Sequence, residues 1–305
     1  MKRVLISPLA GLVTVFVLVT PAHPTDWLWQ VTTDPADEIE SSWSPDGGMI
    51  AFDSYRNGNW DIWIVPCGGG SETRITTDPA SDSYPAWSPD GTLIAFTSNR
   101  GGNNDIWVIP AYGGTATQIT VDPTIDACPC WSPDGAMIAF VSYRGGNPDI
   151  WTIPAGGGVS MQLTTDPGED WCPSWSPDGA TIAFDSDRNG NPDIWTVPAA
   201  GGTAIQITTG SHADWYPSWS PDGDKIAFGS SRNYTWDVWT IPAGGGTATQ
   251  ITTDPAWDDN PCWSPDGTTL GFCSDRSGNW DIWAIKPEHT SINPASLGEV
   301  KAMFR

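Results

Sequence analysis

Acidic side chains recur at one fixed position of this sequence and are its first candidates for chemistry. A Glu or Asp lies five residues before each of six tryptophans spaced 44 residues apart, beginning with Trp43 and ending with Trp263. The acids are Glu38, Asp82, Asp126, Asp170, Asp214 and Asp258. Because hard cations such as Ca²⁺ take several oxygen ligands, the five aspartates predict a weak cation site. Apart from calcium there, no cofactor is predicted.

Two further interpretations of the same acids compete with a cation site. Glycosidases use two carboxyl groups at a defined separation, so a pair of these acids could serve a polysaccharide lyase or a glycoside hydrolase. An aspartate at the entry to a strand can instead accept hydrogen bonds from backbone N–H groups, or pair with an arginine of a neighbouring repeat. Because the acid recurs in every repeat, we favour the structural role and predict no catalytic residue.

Aromatic side chains lie next to the acids and are concentrated in the second half of the chain. Trp171, Trp215 and Trp257, together with Tyr84 and Tyr216, occupy the segments around the acid positions. Aromatic rings beside carboxylates can stack on sugars or receive a peptide, whereas in a structural interpretation they fill the space between repeats. Four of the five lie in the last three repeats, so they break the symmetry, as a specific site requires. These five residues and the six acids form the predicted binding face.

Charged residues of opposite sign flank a Gly- and Asn-rich turn in each repeat. An arginine lies thirteen residues after the repeat tryptophan and an aspartate eighteen residues after it, as with Arg188 and Asp193. We predict a salt bridge between them that holds the turn. No Gly-x-Ser-x-Gly, phosphate-binding or His-Glu-x-x-His motif occurs in the sequence, which disfavours nucleophilic and phosphate chemistry.

The six cysteines could form disulfides or remain free thiols. Cys262 and Cys273 fall on adjacent predicted strands, so a disulfide between them could form. Cys128 and Cys172 occupy matching positions of neighbouring repeats and could form a second one. Free buried thiols are the alternative.

The elements that position these residues follow from the repeat. Each unit contains Trp-Ser-Pro-Asp-Gly, then an apolar run as at residues 93–96, an Asp-Ile-Trp segment as at 105–109 and a Gln-Ile-Thr segment as at 118–120. Pro fixes φ and Gly tolerates positive φ in tight turns, so each unit predicts four short antiparallel strands. Four strands in about 40 to 50 residues are typical of a propeller blade. The sequence predicts an all-β, six-bladed β-propeller over residues 27–285.

The two ends of the repeat array predict how the ring closes. Residues 30–35 align with residues 118–123, so a lone fourth strand precedes the first repeat tryptophan. After Trp283 the matching strand is absent, because Pro294 stands where Gln is expected. We predict that the strand around residues 29–32 completes the last blade as its outermost strand, which removes two exposed sheet edges.

These motifs resemble the WD40-like repeat of the TolB-like propeller family. The resemblance rests on the Ser-Pro-Asp-Gly turn and on the Ala-Phe, Ser-x-Arg and Asp-Ile-Trp segments, and it covers residues 30–285. It implies the propeller fold and, because the family includes the periplasmic TolB that binds the peptidoglycan-associated lipoprotein, a protein-binding function. Other members carry propellers attached to peptidases. In this sequence residues 27–35 lead directly into the repeat, so neither an α/β domain before it nor a hydrolase domain after it is expected.

Charge and the chain ends restrict location and partners. The 305 residues carry 36 acidic and 13 basic side chains, a formal net charge of −23, which disfavours nucleic acid and anionic membranes as partners. Lys2 and Arg3, the apolar run at residues 4–19 and small residues up to Ala22 predict a signal peptide over residues 1–22. No membrane insertion is expected after its cleavage. Residues 286–305 form a separate tail; the capping-box spacing at residues 296–299 could start a short helix, whereas a frayed end is the default expectation.

The sequence therefore predicts an exported protein, periplasmic or extracellular, that works as a binding or scaffolding module. Its partner is expected to be an envelope or extracellular protein, or a glycan. The partner would contact the acidic, aromatic top face, the end of the propeller where the chain enters the first strand of each blade. A carbohydrate-active lyase or hydrolase, and a structural subunit of an extracellular assembly, are the alternatives.

Overall fold

Five of the six repeats each fold into one four-stranded antiparallel sheet, and the last repeat supplies three strands of a sixth sheet that the N-terminal strand completes. The structure, a computed structural model, describes residues 27–289. In that part of the chain, 24 strands form six such sheets, and the one helix is a single 3-10 turn at Pro287–His289. The predicted all-β, six-bladed propeller is confirmed.

The first two strands of each blade carry the repeat acid, the repeat tryptophan and a fully buried phenylalanine. The first strands, which line the central axis, are β2 (Glu38–Trp43), β6 (Asp82–Trp87), β10 (Asp126–Trp131), β14 (Asp170–Trp175), β18 (Asp214–Trp219) and β22 (Asp258–Trp263). The second strands are β3 (Met49–Ser54), β7 (Leu93–Ser98), β11 (Met137–Ser142), β15 (Thr181–Ser186), β19 (Lys225–Ser230) and β23 (Leu270–Ser274).

The outer half of each blade is less regular. The third strands are β4 (Asp61–Pro66), β8 (Asp105–Pro110), β12 (Asp149–Pro154), β16 (Asp193–Pro198), β20 (Asp237–Pro242) and β24 (Asp281–Ile285). The fourth strands are β5 (Thr73–Arg74), β9 (Thr117–Gln118), β13 (Met161–Gln162), β17 (Ile205–Gln206), β21 (Thr249–Gln250) and, in the last blade, β1 (Leu28–Gln30). Most fourth strands are shorter than predicted. In β9, for example, the ladder ends because Ile119 and Thr120 both donate to the Ile106 carbonyl.

The N-terminal strand closes the ring, as predicted. Strand β1 pairs antiparallel with β24, and Gln30 lies opposite Trp283. Gln30 Nε2 donates to Asp281 Oδ2 at 3.0 Å, and the Ile282 N–H donates to Thr32 Oγ1 at 2.9 Å. Both contacts reproduce those inside a continuous blade, so the closing strand takes the full place of a fourth strand.

Adjacent blades are joined by apolar packing and by hydrogen bonds at the top face. Ala51 and Ile62 of the first blade pack with Phe96 of the second. The Asp82 N–H, at the start of a first strand, donates to the Trp60 carbonyl in the preceding blade at 2.8 Å. The loops between blades and the loops between second and third strands therefore share one end, which defines the top face. Blades 1 to 6 are numbered from β2–β5 to β22–β24 with β1.

The chain ends lie partly outside the described residues. The predicted signal peptide at residues 1–22 falls there, as do residues 290–305 of the predicted tail. Within residues 27–289, no helix has the length and apolar character needed to cross a membrane.

Removal of residues 27–33 tests the closure of the ring. The deletion leaves β24 with an open edge and an incomplete last blade, so we expect aggregation or loss of a cooperative thermal transition, measured by circular dichroism. A circular permutant that carries residues 27–33 after residue 286 through a short glycine linker restores the strand and should melt cooperatively. A soluble deletion variant that melts like the intact chain would contradict this closure.

Candidate functional site

The six repeat acids lie inside the blades and not at the mouth of the channel. All six side chains are at most 2% exposed, and none lines the axial cavity. Each pairs with the arginine eighteen residues later in its own blade. The pairs are Glu38–Arg56, Asp82–Arg100 (2.6 Å), Asp126–Arg144 (2.5 Å), Asp170–Arg188 (2.7 Å), Asp214–Arg232 (2.7 Å) and Asp258–Arg276 (2.7 Å). The six acids were predicted to form part of an exposed binding face, and their burial against arginine corrects that prediction.

Each arginine is also held between two aromatic rings of its blade. The Arg188 guanidinium carbon lies 5.2 Å from the centroid of Phe184 and 4.7 Å from that of Trp195. Arg188 Nε donates to Ser186 Oγ at 2.8 Å. Cation–π contact, ion pair and hydrogen bond together fix the planar guanidinium, which a lysine could not do in the same way.

The predicted pairing of this arginine with the aspartate of the third strand is wrong. Asp193 Oδ2 instead accepts a hydrogen bond from Gln206 Nε2 at 3.0 Å, and Asp193 Oδ1 accepts one from Thr208 Oγ1 at 3.2 Å. The Gln-Ile-Thr segment of the fourth strand therefore satisfies this aspartate. Burial, followed by the charge of Asp214, raises the pKa of Asp193 to about 6.

The structure does not assemble the five aspartates proposed as a weak cation site. Each contacts its own arginine, and burial raises the pKa of Asp258 to about 6 although Arg276 lowers it. Between residues 27 and 289, no three His, Cys, Asp or Glu side chains are grouped so as to hold a metal ion. The geometry lends no support to calcium at these residues.

A different set of side chains lines the axis. The residue three positions before each repeat tryptophan has a φ between 48° and 55°, in the left-handed region. We call these six residues the axial ring: Glu40, Tyr84, Cys128, Cys172, Tyr216 and Asn260. They sit at a β-bulge in each first strand and surround an axial cavity of about 160 Å³. Left-handed backbone is unfavourable for non-glycine residues, so it must be imposed by surrounding contacts.

Side chains of the preceding blade supply several of those contacts. The Tyr84 N–H donates to Asp53 Oδ2 at 3.2 Å, and the Tyr216 N–H donates to Asp185 Oδ1 at 3.2 Å. These carboxylates stand on second strands, ten residues after a repeat tryptophan. The bulges are therefore tied across blade interfaces.

At the interface between blades 5 and 6, the carboxylate that accepts the bulge N–H comes from blade 6 itself and not from the preceding blade. Gly229 occupies the second-strand position in blade 5, and a Cβ there would lie 1.8 Å from Asp259 Oδ1. The Asp259 carboxyl of blade 6 fills this space and accepts the Asn260 N–H at 2.8 Å. Gly229 and Asp259 form a matched pair, because any side chain at position 229 would displace the carboxyl.

Three carboxyl groups at or beside the axial ring have raised pKa values. Burial raises the pKa of Glu40 to about 8, against the opposing hydrogen bond from Asn260 and together with the charge of Asp259. Burial also raises the pKa of Asp185 and of Asp259 to about 7. A protonated Glu40 can donate a hydrogen bond into the axial cavity.

The cysteines near the axis are free thiols. Cys262 lies opposite Gly271, while Cys273 lies opposite Asp259, so the first proposed disulfide is absent and its two cysteines are not directly paired. The hydrogen bond between the Cys128 and Cys172 thiols and burial raise the pKa of Cys172 well above its usual value. The Cys172 thiol therefore stays protonated and is a poor nucleophile.

Four of the five predicted aromatic residues come together at the top face. Trp171, Trp215, Tyr84 and Tyr216 line a cavity of about 320 Å³ between blades 4 and 5. Glu169, Asp185, Asp187, Cys172 and Pro192 complete its lining. We call it the blade 4–5 cavity. Trp257 is 51% exposed and lines neither the axial cavity nor the blade 4–5 cavity.

A second top-face cavity lies between blades 6 and 1. Its volume is about 340 Å³, and its lining includes Trp60, Trp280, Glu40, Asp259 and Tyr216. Tyr216 borders both top-face cavities and the axial cavity, so one side chain connects the three. Acidic and aromatic groups thus lie side by side on this face, at positions that differ between blades.

Sequence reasoning missed the axial ring as a unit. Glu40 and Asn260 were not predicted site residues, because neither composition nor strand pattern marks a left-handed bulge. The available signal was a constant offset of three residues before the repeat tryptophan, with a residue type that varies within an otherwise uniform repeat.

Comparison with known proteins agrees with this architecture. The sequence matches the family described as TolB beta propeller domain over residues 122–216 and 212–303, and the Tricorn protease N-terminal beta propeller domain over residues 60–148. The fold and these matches define a TolB-type six-bladed propeller. Since the first match spans more than half of the chain, the chain belongs to the TolB beta propeller domain family, as the resemblance implied.

Solved structures place the chain among the same propellers. A protein assigned as TolB from Agrobacterium tumefaciens aligns with a TM-score of 0.67 and 25% identity, over 85% of this chain and 96% of its own. TolB from Acinetobacter baumannii aligns with a TM-score of 0.69 and 24% identity, over 76% of this chain and 58% of its own. An oligogalacturonate lyase from Vibrio parahaemolyticus aligns with a TM-score of 0.61 and 13% identity, over 87% of this chain and 94% of its own. At that identity the likeness shows the fold alone. A search of curated proteins gives no match.

The raised carboxyl pKa values predict how stability depends on pH. An unfolded carboxyl group titrates near pH 4, whereas Glu40 and Asp259 in the folded chain titrate near 8 and 7. Between these values the two groups bind more protons in the folded state, so the stability that they contribute is present at low pH and is lost as pH rises through their folded pKa values. We expect the melting temperature to drop by several degrees between pH 5 and pH 9.

Neutral variants separate this effect from general charge repulsion. Glu40→Gln and Asp259→Asn should each flatten the pH dependence of the melting temperature, because the titrating group is gone. Asp224→Asn, which neutralises an exposed carboxylate, is the control and should leave the slope unchanged. Equal slopes in all three variants and the unchanged chain would contradict the assignment.

Proposed function

We propose that this propeller is a binding module that engages a partner protein through its top face. The proposal rests on the location of the residues that differ from blade to blade. The frame of strands, turns and arginine pairs repeats in every blade, whereas the axial ring and the two top-face cavities differ from blade to blade. A single partner contacts one unique surface, and here the unique residues converge around Tyr216. Membership of the TolB-type family supports protein binding over catalysis.

The location of the protein is part of the same proposal. Residues 1–22 have the charge and hydropathy pattern of a secretory signal, and the TolB resemblance implies a periplasmic relative. We therefore propose an exported protein, periplasmic or extracellular, whose partner is an envelope or extracellular protein. A net charge of −23 favours a partner with basic groups at the contact. A glycan ligand on the aromatic cavity walls is the competing possibility.

Retention of a partner by purified variants tests this function. Full-length protein, immobilised through a C-terminal tag, is incubated with envelope extract of its source cells, and retained proteins are identified by mass spectrometry. Tyr216→Ala removes the side chain shared by all three cavities, so we expect at least roughly tenfold weaker retention of the specific partner, as for a central interface residue.

Tyr112→Ala is the matched control. Tyr112 is 75% exposed in a turn at the opposite end of the propeller, so its loss should leave retention unchanged. The proposal fails if no protein is retained, or if Tyr216→Ala retains the same partner as well as the unchanged chain does. Binding of a neutral oligosaccharide in place of a protein would favour the glycan.

A further inference from the structure

The position four residues before the repeat tryptophan gives blades 4 and 5 a surface that no other blade has. The residues there, in blade order, are Ile39, Ser83, Ala127, Trp171, Trp215 and Asp259. Tryptophan occurs only in these two neighbouring blades, and both indoles line the blade 4–5 cavity. The aromatic walls therefore arise from two substitutions at one repeat position.

Aromatic contacts hold the two walls in place before any ligand arrives. The Trp215 ring lies 5.0 Å from the Trp236 ring with an interplanar angle of 33°. The Trp171 ring meets Tyr143 edge-on at 5.8 Å, and its Nε1 donates to Glu169 Oε2 at 3.3 Å. Because the two indoles are already ordered, binding a ligand between them costs little side-chain conformational entropy.

Three carboxyl groups border the cavity without a cationic neighbour. Glu169 and Asp187 are exposed, and the Glu169 N–H donates to Asp187 Oδ1 at 2.8 Å, which fixes their spacing. Asp185 is 5% exposed and lies opposite Trp171 in the sheet. Of the nine described residues that line the cavity, none is basic. The nearby Arg188 is already committed to Asp170, at 2.7 and 2.8 Å.

The combination of aromatic faces and unpaired carboxylates selects for positive charge. Tryptophan attracts cations through its ring face, and the planar guanidinium both stacks on indoles and donates to carboxylates. A neutral sugar could stack on the same rings but would leave the carboxylates repelling one another. A cavity of about 320 Å³ accommodates one long side chain.

We propose that the blade 4–5 cavity is a receptor for an arginine side chain of the partner, held between Trp171 and Trp215 and paired with Glu169 and Asp187. This inference rests on the proposed function and names the group that the partner presents. It is tested with a small probe that needs no partner, so the two proposals can fail separately.

The probe is N-acetyl-arginine amide, titrated into the full chain and followed by isothermal calorimetry and tryptophan fluorescence. N-acetyl-citrulline amide, which has nearly the same shape but an uncharged urea, is the ligand control. Saturable binding of the arginine probe, at least about tenfold tighter than the citrulline probe, supports the inference. Equal affinities, or no saturable binding of the arginine probe, overturn it. A cellodextrin that binds more tightly than the arginine probe would overturn it in favour of a glycan.

Variants locate the probe. Trp215→Ala removes one wall, and Glu169→Gln with Asp187→Asn removes the charge while an oxygen at position 187 still accepts the Glu169 N–H. Each should weaken binding of the arginine probe about tenfold, and the charge variant should abolish the preference over citrulline. Trp257→Ala, an exposed tryptophan outside the cavity, should change nothing. Unchanged affinity in both cavity variants, with native melting curves, would place the probe elsewhere and overturn the assignment.

Probe and partner results separate the two proposals. A protein retained through Tyr216 without arginine selectivity in the cavity leaves the binding function intact and removes the arginine receptor. Arginine binding in the cavity without any retained protein removes the partner-binding function instead.

Discussion

The buried pair of an acid and an arginine within each blade is the interaction on which the rest of the structure depends. Its acid opens the first strand, its arginine follows the second, and the guanidinium lies against aromatic rings of the second and third strands. One contact therefore ties three strands at the top of each blade. Removing one partner of a buried pair leaves the other charge uncompensated, which is far more costly than loss of an exposed pair. The acids cannot be released for ligands without loosening the blade.

Because the frame is secured in this way, the inner strands can carry features that are unfavourable by themselves. Left-handed backbone at six non-glycine positions, and carboxyl groups with pKa values of about 7 to 8, surround one narrow axis. These residues differ between blades, whereas the arginine pairs do not. The binding function that we propose therefore rests on the variable positions three and four residues before the repeat tryptophan. The conserved geometry of the repeat supplies only their placement.

Most of the fold could be predicted from the sequence, but the partners of individual charges could not. The tight turn after Trp43 and the match of residues 30–35 to a fourth strand are local signals, and both led to the observed strands and closure. The direction in which Asp170 points depends on a bulge and on packing within the sheet, which spacing along the chain does not encode. Asp193 is close to Arg188 in sequence, yet its carboxylate accepts hydrogen bonds from Gln206 and Thr208, because the fourth strand folds back on the third. The aromatic residues were predicted from their places beside the repeat acids, and four of the five line the blade 4–5 cavity.

The central claim, that the repeat acids are architectural, is tested most directly by a double-mutant cycle on Arg188 and Asp170. The free energy of unfolding is measured by urea titration for Arg188→Met, Asp170→Asn and the double variant. Each single variant should lose about 3–5 kcal/mol, and the double variant should lose clearly less than their sum, because the second change removes an already unpaired charge. Single losses below about 0.5 kcal/mol that simply add would show a solvent-exposed pair of little consequence and would contradict the claim.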